Sequence, residues 1–336
     1  FIHQYTNNNR YDTSVEGTFK ESPLYHKDAR GVAFKKQIFG EGTEQFTHQF
    51  FEIEQDECSV VGDALVAKQS RFVEDLLPNY QSEADRDKFV KKFCTKQHQA
   101  RTVAEAFNRR LDELNSLDPA TPRICFLDTS VYYLYGKNKE SCAVLVEDML
   151  VGKFQKWNGN NGFVRKRKNK WLIDRNGVPS RKRPFLSPLD GIAENEEYGI
   201  ADQKCNEVSM RREMDDFYDT STDCSRTKIF VTPDEVAQAF SHYSYQYSGH
   251  KILICDLQGV YDDQLRLFRL TDPVIHYYSP HKPDKKKVYG RTDRGRKGMD
   301  DFFESHVCNA LCHVVTRGFK NARESKRPKV TITIDD

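Results

Sequence analysis

The stretch FFESHVCNALCHVV, residues 302–315, places His306, Cys308 and Cys312 within seven positions of one another. On a helix, Cys308 and Cys312 are four residues apart and share a face, so both thiolates can reach one ion. His306 lies only two residues before Cys308, and residues two apart do not face each other. The chain must therefore unwind or begin a turn near 306–308 if all three are ligands. Zinc accepts such mixed nitrogen and sulfur donors tetrahedrally, but a structural site needs a fourth. His242, His250, His276, His281 and His313 are all candidates, and spacing does not choose among them. A core helix burying two small thiols, with His306 and His313 at the surface, fits the same pattern.

Outward from this stretch the chain alternates recognisable elements. GRTDRGRKG (290–298) is a glycine-bearing loop, and KILIC (251–255) predicts a buried strand ending at Asp256. TPDEVAQAFSHYSYQYS (232–248) predicts a helix with Thr232 as N-cap, Pro233 at its first position and Glu235 at N3. Further upstream, GVAFKKQIF (31–39), TEQFTHQFFEIE (43–54) and DALVAKQS (63–70) read as strands of an antiparallel sheet. Helical spacing runs from 82 to 115 through Phe89, Phe93, Val103, Phe107 and Leu111, with Ser82 and Asp85 resembling a capping box. PRICFLDTSVYYLY (122–135) and CAVLVEDML (142–150) predict two more strands, whereas residues 1–28 show no clear period.

Between these halves the composition changes. A basic block, 165–184, precedes a mostly acidic one, 194–223. We read 165–228 as an inserted, largely disordered loop. Pairing of the two blocks, or a regulatory cluster at Thr220, Ser221 and Thr222, would be alternatives to a plain linker.

Composition narrows the function. With 336 residues, 38% hydrophobic and 30% charged, the chain is long enough for two lobes with cores of their own. A net charge of +2 argues against non-specific nucleic-acid binding. No apolar run approaches the ~20 residues of a membrane span, and no signal peptide is recognisable. Nine scattered cysteines, an odd number, fit a reducing compartment, and a cytoplasmic protein is expected.

ICDLQGV (254–260), LTDPVIH (270–276), GRTDRGRKGM (290–299) and FFESHVCNALC (302–312) occur in that order. Upstream stand VAKQSR (66–71), FNRRL (107–111), VEDMLVGKFQKWNGNNGFV (146–164) and FSHYSYQYS (240–248). Together they resemble the catalytic domain of the alpha-kinases, the atypical protein kinases typified by myosin heavy chain kinase and elongation-factor-2 kinase. The resemblance covers about 15–318 apart from the insert, leaving 319–336 as a tail.

It implies an α+β, two-lobed protein-kinase-like fold, with a mainly antiparallel-sheet N-lobe (about 15–146) and a zinc-stabilised C-lobe (about 147–318). The implied zinc ligands are His242, His306, Cys308 and Cys312 in a structural role, which makes His276 a loop residue near the active site. Asp256 takes the catalytic position, and Gln258 and Asp272 those of the magnesium ligands. Lys68 matches the phosphate-contacting lysine, Glu147 and Met149 the adenine-recognising linker, and Arg30 the nucleotide-contacting arginine. HKDARG (26–31) lacks the glycines that the family usually shows before that arginine. Gly290, Asp293, Gly295 and Gly298 match a substrate-binding loop, to which Arg291, Arg294, Arg296 and Lys297 would give a positive edge. The implied function is transfer of the γ-phosphate of ATP, with Mg2+, to a Thr or Ser hydroxyl of a protein substrate. A catalytically weak pseudokinase, serving as a zinc-stabilised interaction module, is the second expectation. Replacing Lys68 or Asp256 by Ala is expected to leave the fold intact.

Overall fold

The computed structural model describes residues 2–6, 18–42, 44–55, 59–71, 83–135, 141–165, 172–173, 179–180, 228–280 and 287–319. The chain divides into two units, residues 1–165 with 228–336, and residues 166–227. In the second unit β10 (Leu172–Ile173) pairs antiparallel with β11 (Pro179–Ser180). Most of the expected insert, including Thr220, Ser221 and Thr222, lies outside the described residues, as does Ser82 of the expected capping box.

In the larger unit, seven antiparallel strands form one sheet. They are β1 (Ile2–Thr6), β2 (Thr18–Ser22), β3 (Gly31–Glu41), β4 (Gln45–Ile53), β5 (Val60–Ser70), β7 (Ser130–Tyr135) and β8 (Ser141–Asp148), in the order β2-β1-β7-β8-β5-β4-β3. The first two strands fall where the sequence showed no period. Main-chain pairing, Ile2 to Ser22 on one side and Ile2 to Tyr132 on the other, places β1 inside the sheet without an apolar stripe to announce it.

The second sheet has the order β6-β14-β13-β9: β6 (Arg123–Phe126), β14 (Leu267–Thr271), β13 (Gln258–Asp262) and β9 (Phe154–Lys156). A two-stranded ladder joins β12 (Ile252–Cys255) to β15 (Val274–Tyr277). PRICFLDTSVYYLY is therefore two strands rather than one. The polar pair Asp128-Thr129 interrupts the apolar run, and β6 runs parallel to β14 while β7 pairs with β1 and β8 in the other sheet.

Helix α1 (Glu83–Asp112) serves both sheets. Val90, Phe93 and Cys94 pack on Val131 and Leu145 of the seven-stranded sheet. Ala100, Val103, Phe107 and Leu111 instead enter the large core formed with Ile124, Phe240, Phe268 and Leu311. Phe107 meets Phe240 edge-to-face at 5.5 Å and Tyr243 at 5.3 Å. Each such fully buried ring is worth roughly 1.5–3 kcal/mol against exposure.

Helix α2 (Pro233–Tyr247) starts where its capping chemistry predicts: Thr232 accepts from the Glu235 N–H while the Glu235 carboxylate accepts from Thr232. Helix α3 (Gly295–Ser305) ends with His306 as its C-cap, and α4 (Ala310–Val315) begins after Asn309, whose side chain accepts from the Cys312 N–H. Cys308 thus sits in a non-helical link, not on a helical face shared with Cys312. No described helix is long and apolar enough to cross a membrane.

Candidate active site and metal centre

A cleft of about 640 Å³ opens between the two sheets, within the range of small-molecule sites. Asp256, Gln258 and Asp272 line it together, with Arg71, Lys96, Lys156 and Asn160. Asp256 leaves β12 with φ +59° and Asp272 leaves β14 with φ +50°, so both carboxylates stand on left-handed residues at strand ends. Such backbone costs about 1 kcal/mol or more and persists only where neighbours fix it. Here Leu257 is fixed from both sides: its N–H donates to Asn158 Oδ1 at 3.0 Å, and its carbonyl accepts from the Trp157 N–H at 2.8 Å. Gln258 opens β13 opposite Thr271, the residue before Asp272.

The Asp256 carboxylate pairs with Lys156 Nζ at 2.5 Å, and Asn160 lines the same cleft. Burial raises the Asp256 pKa above the ordinary carboxylate value, and Lys156 and Asn160 pull it part of the way back. Carboxylate and amide oxygens facing one polar cleft suit a hard cation such as Mg2+, and the surrounding lysines and arginine suit phosphate.

Lys68, on β5, is buried. Its ammonium donates to Glu147 at 2.6 Å, to Asp272 at 2.9 Å and to the Thr271 hydroxyl. Glu147 is fully buried and also accepts from Thr129 and Thr271, each at 2.6 Å. Burial works against the Lys68 charge, but Asp272 and Glu147 overcome it, so the pKa lies above the usual lysine value. The carboxylate of Glu147 therefore faces Lys68, and the Met149 N–H is held by the Ala64 carbonyl at 2.9 Å. Among the described residues the cleft lining includes neither Arg30 nor Met149. The Arg30 guanidinium donates to the Lys27 and Ala29 carbonyls.

This network revises the expected behaviour of a Lys68 variant. Lys68→Ala strands Glu147 without a cation, which costs about 3–5 kcal/mol. Melting should fall clearly below wild type, and Glu147→Gln in the same chain should restore most of the loss. Equal melting of Lys68→Ala and wild type would show that Glu147 relaxes freely.

The expected 290–298 loop is a loop only as far as Arg294, since Gly295–Gly298 form the first turn of α3. Within the stretch, Asp293 is buried and accepts from the N–H groups of Tyr277, Tyr289 and Gly295 at 2.9–3.2 Å. It holds the loop's shape. Gly298 permits a close approach: a Cβ there would lie 2.4 Å from the His276 ring. Gly290 and Gly295 adopt φ +103° and +60°. Arg294 turns inward, donating to the Asn160 carbonyl at 2.8 Å and pairing with Asp301, so it does not form an outer positive edge. His276 is likewise not a loop residue. It belongs to β15 and is fully buried, because the Val274–Tyr277 stretch pairs with β12.

His242, His306, Cys308 and Cys312 converge, with one donor atom from each lying within 4.8 Å of the others. Cys308 Sγ is 3.5 Å from His242 Nδ1 and 3.6 Å from His306 Nε2, and Cys312 Sγ is 3.6 Å from the same Nε2. A tetrahedral ion with nitrogen donors near 2.05 Å and sulfur near 2.3 Å demands an N···S edge of about 3.6 Å. The residues fit zinc. The far ring atoms are also engaged, His306 Nδ1 facing Gln238 Oε1 at 3.4 Å and His242 Nε2 near Gln246 at 3.5 Å, as outer partners of a bound metal usually are.

The sequence names Asp256, Gln258, Asp272 and Lys68, and the structure brings them together. It misses Lys156, Asn158, Asn160 and Thr271. The signal for the first three was the run KWNGNNG (156–162), whose asparagines follow a tryptophan that is itself buried; Thr271 had none.

The sequence model of the Alpha-kinase family matches residues 41–173 and 218–312, about two thirds of the chain. Myosin heavy chain kinase B of Dictyostelium discoideum is 35% identical over 109 residues, 32% of this chain and 13% of that protein. Eukaryotic elongation factor 2 kinase of Mus musculus is 38% identical over 86 residues, 25% of this chain and 10% of its own length. The match thus spans only a small part of these relatives. The alpha-kinase domain of myosin heavy chain kinase A, solved in complex with AMP, superposes with a TM-score of 0.49 at 19% identity, over 84% of this chain and 89% of that one. On this match over about two thirds of its length, the chain is a member of the alpha-kinase family.

Proposed function

We propose that this chain is a protein kinase that transfers the γ-phosphate of Mg-ATP to a Ser or Thr hydroxyl of a protein substrate, with residues 15–318 as its catalytic domain. One observation carries the reading: Asp256, Gln258 and Asp272 converge on one cleft, and Lys68 reaches Asp272 from the other sheet at 2.9 Å. Phosphoryl transfer asks little covalent chemistry of the protein. It asks for positioning, metal ions on the phosphates and a carboxylate at the acceptor hydroxyl. Asp256 would orient that hydroxyl, Gln258 and Asp272 would hold Mg2+, and Lys68 would exchange part of its carboxylate pairing for phosphate oxygens. Glu147 keeps Lys68 placed, and the main chain near Met149 is our candidate adenine contact. Arg30 would reach the nucleotide only after turning from its own loop.

The loop carrying Gly290, Asp293, Gly295 and Gly298 is the proposed peptide-binding edge, with Arg291 and Lys297 as its outward charges. Zn2+ on His242, His306, Cys308 and Cys312 would be structural, since protein donors fill all four positions. The free thiols of Cys94, Cys125, Cys255, Cys308 and Cys312 suit a reducing compartment such as the cytoplasm. The complete set of Lys68, Glu147, Asp256, Gln258 and Asp272 argues against a pseudokinase. Purified protein incubated with Mg-ATP and a generic protein acceptor, followed by phosphosite mapping, tests the proposal. Phosphothreonine or phosphoserine should appear; absence of both transfer and Mg-ATP binding would overturn it.

A further inference from the structure

Two buried lysines meet on one aromatic ring. Phe93 of α1 is held in the core against Val131 and Leu145, and Leu145 stands across from Lys68 in the ladder of β5 and β8. Lys68 Nζ lies 5.7 Å from the centre of the Phe93 ring, and Lys96 Nζ lies 5.3 Å from it. Both distances fall within the reach of cation–π attraction. Phe93 and Lys96 are three residues apart on α1, so they share a helical face. One ammonium reaches the ring from the sheet and the other from the helix.

The two lysines differ in what else they hold. Lys68 is satisfied by Glu147, Asp272 and the Thr271 hydroxyl. Lys96 is only 5% exposed. Among the described residues the carboxylate it faces is Glu44, 3.6 Å away, which is beyond a normal hydrogen bond. An ammonium carries three donors, and burying them without partners is costly. Lys96 also lines the cleft that Asp256, Gln258 and Asp272 line. Its spare donors therefore have an outlet there, toward an anionic group.

We propose that Lys96 is a second phosphate contact of the cleft: its ammonium, seated on Phe93 with Lys68, donates to an oxygen of the ATP triphosphate. The inference rests on the reading of this cleft as the Mg-ATP site. Lys96 lies outside every motif that carries the alpha-kinase resemblance, so the resemblance assigns it no role. A compact ammonium on a long stem meets a phosphate oxygen as a point charge. Glu44 is then its resting partner, and phosphate competes with Glu44 for the ammonium. The sign of the two charges separates this role from a plain structural ion pair. Removing the lysine charge should weaken ATP, whereas removing the Glu44 charge should not.

Titration calorimetry of wild type, Lys96→Met and Glu44→Gln, each with Mg-ATP and with adenosine, tests the inference. Methionine keeps an unbranched stem on the Phe93 ring, and the partly exposed Glu44 side chain can turn to water, so the fold should survive. Lys96→Met should bind Mg-ATP about 10- to 100-fold more weakly, the usual range for a lost hydrogen bond to a charged group. Its affinity for adenosine, which has no phosphate, should match wild type. Glu44→Gln should bind Mg-ATP at least as tightly as wild type. Equal Mg-ATP affinity in Lys96→Met and wild type overturns the inference and leaves the reading of the cleft standing. A parallel loss of ATP and adenosine in Lys96→Met, or a matching loss of ATP in Glu44→Gln, also overturns it, because either marks a structural pair. Wild type that binds neither ligand overturns the reading of the cleft and the inference with it. Should Lys96→Met not fold, Lys96→Gln, with a neutral polar tip, carries the same titration.

Discussion

Asp256→Ala is expected to lower turnover about 10²- to 10⁴-fold, the usual contribution of a positioned acid–base group, with little change in Mg-ATP affinity. The reason is the proposed division of labour across the cleft: Lys68 and Asp272 would meet the phosphates, whereas Asp256 pairs with Lys156. The pH behaviour follows from burial, which raises the Asp256 pKa above its ordinary 3.8 despite Lys156. Ionised Asp256 is therefore less favourable in the fold than in the unfolded chain. Its contribution to stability is fully present below pH 3.8 and is lost as pH rises through the folded value. Asp256→Asn should accordingly melt no lower than wild type at neutral pH, and slightly higher if Lys156 finds solvent. Activity should fall on the acid side at a pH above that of a solvated aspartate. A variant that loses Mg-ATP binding along with turnover would place Asp256 in nucleotide binding instead.

The second large effect belongs to the metal centre. Cys308→Ala and Cys312→Ala should each reduce bound zinc from one ion per chain to none and lower the melting temperature by about 10 °C or more. Comparing the two separates metal from packing. Cys312 is fully buried in the core with Leu311 and Val315, whereas Cys308 is exposed and packs on little. With no cation, burial pushes the Cys312 thiol up to about 12, and burial with His242 pushes His306 down to about 4. Burial also raises the Cys308 thiol, so His306, Cys308 and Cys312 are then neutral at pH 7 and have no charge to hold them together. Elemental analysis and thermal melts on both variants decide the matter. If Cys308→Ala keeps wild-type stability while losing its zinc, the ion does not support the fold.

The sequence made some elements plain for physical reasons that can be named. Thr232, Pro233 and Glu235 are local capping chemistry, and the helix begins there. After Lys251, ILIC (252–255) is uniformly apolar, and every residue of β12 is buried. The break between α3 and α4 follows from the two-residue spacing of His306 and Cys308. What the sequence hid is long-range. Glu147 turns to Lys68 because strands 79 residues apart are brought side by side, and no local pattern encodes that pair. Arg294 looks like a solvent charge in a basic loop, yet its donors are spent inside the molecule.

The two-sided packing of α1 has a consequence for how the protein is made. During synthesis α1 leaves the ribosome early, and the first half of its apolar face finds Val131 and Leu145 within a few dozen residues. Phe107 and Leu111 wait for Phe240 and Leu311, and β6 waits for β14, its parallel partner. At 5–20 residues per second that interval is on the order of ten seconds. Throughout it, a greasy helical stripe and an unpaired strand edge stand uncovered. The nascent chain is thus most exposed to aggregation after its N-terminal sheet has closed, and cover for that stripe is a requirement of biosynthesis written into the order of the elements.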